Sequence, residues 1–279
     1  MSELRNQQLA LLSALMEKAE KSLNDKPAGF LQICRNKNTS QYYYHAPEEP
    51  RKGIYVSKKE MSFIRAMAQK SYDQKFLAAA AALQKDLQNP CKFYEISSMH
   101  DFYQYLASVY QNLTPERQKL VDPHVMPDEM YVKAWLDFPY EGKGFDKKEP
   151  IIKSRRDERV RSKSEKIIAD TLFDMQIPYR FEFPLKTKRL GIIFPDFTIL
   201  DWWNRRKVIF EHFGKMQDDG YCIDTMTKLE VYEEEGFILG RDFLFTMESK
   251  DHMVDFEHFK RLIRDRFPHL PYFSTYPIS

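Results

Sequence analysis

Two carboxylates occupy matched positions on either side of a short connection in the second half of the chain. Asp196 belongs to an apolar stretch that ends at Leu200, and Glu211 belongs to one that begins at Lys207. If Leu200 pairs with Lys207 in an antiparallel hairpin, Asp196 lies directly opposite Glu211, with the two Cβ atoms about 4.5–5.5 Å apart. Two carboxylates at that distance repel each other unless a proton or a cation lies between them.

The residues around the two acids indicate what would lie between them. Asp196 follows Ile-Ile-Phe-Pro and Glu211 follows Val-Ile-Phe, and burial of an acid in such surroundings is costly unless it is paired or metal-bound. Mg²⁺ and Mn²⁺ accept one or two protein carboxylates together with waters and substrate phosphate. The residues therefore predict a Mg²⁺ or Mn²⁺ site. The alternative is that Asp196 caps a bend after Pro195 and Glu211 ends an exposed strand.

A lysine and two tyrosines share one side of a helix that the pattern predicts over residues 219–235. At helical spacing, Tyr221, Lys228 and Tyr232 point in nearly one direction, beside an apolar stripe. A helix that crosses back over the sheet would aim Lys228 at the carboxylates, where it could orient a water or stabilise charge on phosphate. We predict that the two tyrosines bind substrate. The alternative is a snorkelling lysine beside two core tyrosines.

A basic stretch precedes the predicted sheet. Residues 153–166 contain seven lysines and arginines against three acids, and such a segment can contact phosphates. We predict Arg159, Arg161 and Lys163 as substrate-binding residues, although a solvated linker and helix start would give the same pattern. Glu165, in the same stretch, could point along its helix to the metal site as a third carboxylate.

The elements that must position these residues follow from the pattern of the second half. It predicts a helix, three strands, a helix, a strand and a final helix, over residues 159–175, 179–185, 192–200, 207–213, 219–235, 242–247 and 254–266. The order αβββαβ predicts an α/β (α+β) fold in which helices pack on a mixed sheet.

The first half is mostly helical by the same criteria. Its pattern predicts helices and two strands over residues 3–23, 29–35 (strand), 41–46 (strand), 58–88 and 98–112, with a short helix after Thr114. Residues 138–150 are rich in Gly, Pro and charge, and we interpret them as a linker. The sequence therefore predicts a helical domain over 1–150, which binds substrate or a protein partner, and a second domain over 151–279.

These residues together resemble the PD-(D/E)xK nuclease superfamily, which has the restriction-endonuclease-like fold. The matching parts are Ser-Lys-Ser-Glu165 on the first helix, Pro195-Asp196 on the second strand, Glu211 on the third and the αβββαβ order, over about residues 160–250. The resemblance implies a nuclease in which Asp196, Glu211 and the auxiliary Glu165 hold Mg²⁺ or Mn²⁺ and a lysine assists the attack of water on a phosphodiester. We predict DNA as the substrate and cleavage as an endonuclease.

The lysine of this family is missing from its usual position. The E-x-K pattern would place it at residue 213, where this chain has Phe213 in Glu211-His212-Phe213-Gly214. Some members carry the lysine on the following helix, and Lys228-x-x-x-Tyr232 stands where RecB-like members have Gln-x-x-x-Tyr. Lys228 is therefore the predicted replacement and Lys215 the second choice. The departure also leaves open a catalytically inactive nucleic-acid-binding or scaffold protein. His212 should face away from Glu211.

Composition narrows the classes of protein that fit. In 279 residues, 43 basic and 41 acidic side chains leave a net charge of +2, which excludes overall charge as the main attraction to nucleic acid. No apolar run reaches the about 18 residues that span a bilayer, and the N-terminus lacks the pattern of a signal peptide. We therefore predict a cytoplasmic protein without a membrane partner. A homo-oligomer is compatible with the sequence.

Overall fold

A computed structural model describes residues 2–24, 26–36, 39–89 and 96–269 of the chain. The chain divides into two compact units, Met1–Pro127 (the first unit) and Asp128–Ser279 (the second unit). The division falls earlier than the boundary predicted at residue 150, because the helix Asp128–Asp137 packs its Val132 into the core of the second unit. None of the described helices is long and apolar enough to cross a membrane.

The first unit combines helices with a three-stranded antiparallel sheet. Its elements are α1 (Ser2–Asn24), β1 (Phe30–Asn36), β2 (Thr39–His45), β3 (Gly53–Val56), α2 (Met61–Gln88), α3 (Met99–Gln111) and α4 (Pro115–Gln118). The predicted helices and strands are confirmed, and β3 is an addition. Helix α2 begins later than predicted because a 3-10 turn, Lys58–Glu60, precedes it. Leu12, Phe76 and Phe102 bring α1, α2 and α3 together in a fully buried core.

The second unit packs helices against a four-stranded mixed sheet. Its elements are α5 (Asp128–Asp137), β4 (Ile152–Lys153), β5 (Arg159–Val160), α6 (Lys163–Asp174), β6 (Tyr179–Phe181), β7 (Leu185–Thr187), β8 (Gly191–Ile193), β9 (Phe197–Asp201), β10 (Arg206–Phe213), α7 (Asp219–Glu234), β11 (Phe243–Met247) and α8 (Phe256–Arg266). The sheet order is β11-β10-β9-β6, in which β10 and β11 are parallel and the other neighbours are antiparallel. The predicted mixture of helices and a mixed sheet is confirmed.

Several predicted elements of the second unit are shorter in the structure. The strand predicted over 179–185 ends at Phe181, because Glu182 has a left-handed φ of 47° that turns the chain out of the sheet. The strand predicted over 192–200 is divided into β8 and β9 around Pro195, which has no N–H for a ladder. The helix predicted over 159–175 begins at Lys163, because Ser162 caps it.

Strand β10 separates two buried clusters of the second unit. Val208 and Phe210 pack with residues of α6 and α8 on one face of the sheet. Ile209 and Phe213 pack with Tyr232 of α7 on the other face. Because side chains alternate along a strand, Glu211 lies on the α7 face and His212 on the opposite one.

Candidate active site

The hairpin of β9 and β10 has the register that the sequence predicts. Lys207 pairs with Leu200, and the pairing continues to Phe210 with Phe197. Asp196 and Glu211 are the next residues beyond that last pair. The carboxylate of Asp196 continues the contact between the strands, because its Oδ2 accepts a hydrogen bond from the backbone N–H of His212 at 2.7 Å.

Asp196 is fixed by the backbone on both sides. Its carbonyl oxygen accepts a hydrogen bond from Glu182 N at 3.1 Å, while His212 N–H holds the carboxylate. Although the residue as a whole is half-buried, protein atoms surround its carboxyl group. This burial and the nearby charge of Glu211 raise the pKa of Asp196 well above the ordinary aspartate range, and the positive charge of Lys228 opposes the shift. The charge of Glu211 therefore acts on the Asp196 carboxyl group.

Glu211 is held by two side chains from α7. It is 1% exposed, and its Oε1 lies 2.6 Å from Lys228 Nζ and accepts a hydrogen bond from the Tyr232 hydroxyl. Lys228 and Tyr232 are four residues apart, so both reach the sheet from one face of the helix. Burial alone would lower the pKa of Lys228, but the charges of Glu211 and Asp196 outweigh it and raise that pKa. Lys228 is therefore an ammonium ion.

The two tyrosines have different positions in the site. The Tyr221 hydroxyl accepts a hydrogen bond from Gly214 N at 3.3 Å. Burial, with a further contribution from the charges of Asp196 and Glu211, raises the pKa of Tyr221. Tyr232 was predicted to bind substrate, but it is 0% exposed. A fully buried ring cannot touch substrate, so Tyr232 positions Glu211 instead.

Glu165 has a local structural task. Its Oε2 accepts hydrogen bonds from the backbone N–H groups of Arg161 (2.7 Å) and Ser162 (3.2 Å), and Ser162 completes a capping box at the start of α6. Its charge reaches Asp196 as a repulsion that adds to the raised pKa of that residue. The charge of Glu165 thus acts on Asp196, while its carboxylate caps the N-terminus of α6.

Most of the basic stretch is neutralised within the second unit. Arg161 was predicted to bind phosphate, but it lies 2.5 Å from Glu182 and 2.9 Å from Glu149. Arg159, predicted for the same role, lies over the Phe145 ring at 4.3 Å and donates to the carbonyl oxygen of Glu149 at 2.9 Å. The other ion pairs of the stretch are Lys153 with Asp157, Arg155 with Asp174, Arg156 with Glu158 and Lys166 with Asp170.

Lys163 and Lys215 remain at the surface. Lys163 is the exposed first residue of α6, and Lys215 is exposed in the loop after β10. Lys228 is thus the lysine that lies at Glu211, as the spacing of α7 predicts.

A polar cluster on the opposite face of β10 escaped the sequence analysis. As predicted, His212 faces away from Glu211, and its Nδ1 lies 3.0 Å from the hydroxyl of Thr246 on β11. Its Nε2 lies 3.3 Å from Glu248, which also accepts a hydrogen bond from the Ser164 hydroxyl at 3.0 Å. The cluster fixes the residue whose N–H holds Asp196. The cluster depends on the parallel pairing of β10 with β11, which places His212 opposite Thr246. No pattern in the sequence specifies the register of these two strands.

The donor set at the end of the hairpin consists of two carboxylates. Among the described residues, no three His, Cys, Asp or Glu side chains converge as a metal-binding group. Two carboxylates suffice for Mg²⁺ when waters and substrate phosphate complete the shell. Burial and then the charge of Glu211 raise the pKa of Asp196, and a divalent cation between the acids would offset both effects by stabilising the ionised carboxylates. Asp196 and Glu211 therefore fit such an ion.

Comparisons of the chain with protein-family models, with curated proteins and with solved structures find no match. Strands β9 and β10 and helix α7 bring together two carboxylates, the Lys228 ammonium group and the Tyr232 hydroxyl that holds Glu211.

Proposed function

We propose that the second unit is a metal-dependent nuclease that hydrolyses phosphodiester bonds of DNA, and specifically an endonuclease. The observation that carries the proposal is the meeting of Asp196, Glu211 and Lys228 at the end of the β9–β10 hairpin. The sheet order β11-β10-β9-β6, with α6 before the sheet and α7 between β10 and β11, supports it further. This arrangement agrees with the αβββαβ core of the restriction-endonuclease-like fold.

The acid pair would hold Mg²⁺ or Mn²⁺ in this proposal. A divalent cation bound there would supply an activated water and would shield the charge of the phosphate. Asp196, just before β9, and Glu211, on β10, would bring the oxygen ligands, and the N–H of His212 keeps the Asp196 carboxylate in place. A third ligand role for Glu165 stays a prediction, because its Oε2 caps α6.

Lys228 supplies the positive charge that the chain itself contributes. Its Nζ lies 2.6 Å from Glu211 Oε1, and the nearby carboxylates keep it protonated. From this position it would orient the attacking water or stabilise the negative charge that develops on the phosphate. Tyr232 fixes the oxygen that Lys228 contacts, so it acts as a positioning residue.

Cleavage assays on matched variants of the full chain test the proposal. We expect Glu211→Gln, Asp196→Asn and Lys228→Gln each to lower Mg²⁺- or Mn²⁺-dependent cleavage of plasmid DNA by about 10²-fold or more. Glu230→Gln is the control, because Glu230 lies on the same helix but pairs at the surface with Arg189. Wild-type cleavage that Asp196→Asn and Glu211→Gln leave unchanged would refute the assignment.

Phe213 favours a second candidate function, a nuclease fold that binds nucleic acid without cutting it. Phe213 is 3% exposed in the cluster that faces α7, at the position where the E-x-K pattern has its lysine. Salt-sensitive DNA binding without metal-dependent hydrolysis on double-stranded, single-stranded and plasmid DNA would support this candidate. Hydrolysis that depends on Lys228 would exclude it.

A further inference from the structure

The first unit contains a cavity, lined by both polar and apolar side chains, that the proposed nuclease function does not use. Its volume is about 500 Å³, and it lies between α1, α2 and the segment that follows α4. Its lining comes from Lys18, Ser22, Lys26, Ser62, Arg65, Ala66, Gln69, Leu120, Asp122, Pro123 and His124. This volume falls within the range of about 300–1,000 Å³ that small-molecule sites occupy. We propose that the cavity binds a small phosphorylated organic ligand.

Three basic side chains of the lining carry the proposal. Lys18, Lys26 and Arg65 line one cavity, and none of them forms an ion pair with the described residues. By contrast, five of the seven basic residues of 153–166 form ion pairs. Like charges around one cavity repel each other, and an anion bound among them removes that repulsion. Asp122 is the acid in the same lining, so the basic side chains are in excess.

A buried carboxylate holds one wall of the cavity rigid. Asp73 is 0% exposed and contacts three lining side chains: it accepts hydrogen bonds from Ser22 Oγ (2.6 Å) and Gln69 Nε2 (2.8 Å), and its Oδ1 lies 2.9 Å from His124 Nε2. Gln69 also bonds the backbone of Asp122 through both its oxygen and its nitrogen. These contacts fix the wall before any ligand arrives, which lowers the entropic cost of binding.

The chemistry of the lining defines the class of ligand. Basic side chains and the Ser62 hydroxyl suit phosphate oxygens, since lysine and arginine form charge-assisted hydrogen bonds with them. Ala66, Leu120 and Pro123 offer a small apolar surface to the organic part of the ligand. Binding through side chains is also consistent with a sequence that has no Gly-rich phosphate loop. The site lies within the first unit and does not depend on the nuclease proposal.

Calorimetric titration of the full chain with ATP and with inorganic pyrophosphate tests the site, with adenosine as the uncharged control. We expect saturable binding of at least one phosphate probe, which weakens as salt is raised, and no binding of adenosine at the same concentrations. Arg65→Gln and Lys26→Gln should each weaken the Kd about tenfold or more. Lys21→Gln is the matched control, because Lys21 lies on α1 and pairs at the surface with Glu17.

Three results would overturn the proposal. The first is the absence of saturable binding of both phosphate probes at low salt. The second is an equal loss of affinity in Lys21→Gln and Arg65→Gln, which would show binding to general surface charge. The third is binding of a single-stranded oligonucleotide but of neither probe, which would assign these side chains to a nucleic-acid backbone. Arg65 is exposed and Lys26 is partly exposed, so we expect both variants to fold. Circular dichroism verifies this.

Discussion

Buried carboxylates occur in both units, and their surroundings differ in kind. Asp73 in the first unit meets side chains from three segments, Ser22, Gln69 and His124, and serves as the centre of a closed network. In the second unit, burial and then the nearby negative charge of Glu211 raise the pKa of Asp196, while Glu211 itself contacts Lys228 and Tyr232. Burial alone thus does not identify a functional acid. The functional candidate is the acid whose neighbour has the same charge.

The basic side chains show the opposite distribution. The second unit holds the basic stretch that stands out in the sequence, yet its residues are paired with acids such as Glu182 and Glu149. In the first unit, Lys18, Lys26 and Arg65 are far apart in the sequence, yet they line one cavity and form no ion pair with the described residues. Charge that is available to a ligand therefore depends on the fold and not on the local count of residues.

Asp73→Asn should produce the largest loss of stability. The asparagine side chain replaces one acceptor oxygen with an NH₂ donor, although Ser22, Gln69 and His124 all contact the carboxylate oxygens. We therefore expect the free energy of unfolding to fall by about 2–4 kcal/mol. Urea denaturation of the full chain followed by circular dichroism measures this change. Glu17→Gln, which removes an exposed acid of α1, should stay within about 0.5 kcal/mol of wild type. Equal effects of the two substitutions would contradict the assignment of Asp73 as a network centre.

Tyr232→Phe should have the next largest effect. Removal of the hydroxyl takes one donor from the buried Glu211, which costs about 1.5–3 kcal/mol because the acceptor is charged. Tyr221→Phe removes only an acceptor at 3.3 Å from Gly214 N and should cost less. The same denaturation assay compares the two variants. A larger loss of unfolding free energy in Tyr221→Phe would contradict the role of Tyr232 in holding Glu211.

Asp196→Asn should stabilise the protein, in contrast to Asp73→Asn. Because folding raises the pKa of Asp196, the folded state keeps the proton more tightly, and wild-type stability falls as pH rises from the ordinary aspartate range through the raised pKa. The variant lacks this loss. We expect a gain of about 0.5–2 kcal/mol near neutral pH that shrinks toward about pH 4. A pH-independent loss of stability in urea titrations would contradict the repulsion between the acids.

Lys153→Gln should have the smallest effect. Lys153 pairs with Asp157 at the surface, where both side chains are more than half exposed, and such pairs contribute about 0–1 kcal/mol. Thermal unfolding should therefore change little. Affinity for a DNA duplex, measured by fluorescence anisotropy, should also change less than about threefold. A large loss of DNA affinity would show that the paired stretch still serves as a phosphate-binding surface.

Local spacing was sufficient to predict the carboxylate end of the hairpin. Although Tyr232 was predicted to bind substrate and instead contacts Glu211, the assumed pairing of Leu200 with Lys207 matches the observed register. The helical spacing that aimed Lys228 at the carboxylates matches its contact with Glu211. These predictions succeeded because hairpin register and helical periodicity are properties of neighbouring residues.

Long-range pairing limited the remaining predictions. Arg161 pairs with Glu182, which is 21 residues away in the sequence and lies just beyond the end of β6. The contact of His212 with Thr246 requires the parallel pairing of β10 with β11. The cavity of the first unit likewise assembles from three separate segments. Periodicity does not specify which distant segments meet.

Anomalous diffraction from a crystal of the full chain soaked in Mn²⁺ tests whether Asp196 and Glu211 form a divalent-cation site beside Lys228. We predict a manganese peak bridged by the two carboxylates, and its loss in crystals of Asp196→Asn. Manganese peaks elsewhere and none between Asp196 and Glu211, at a concentration that supports DNA cleavage in solution, would contradict the account.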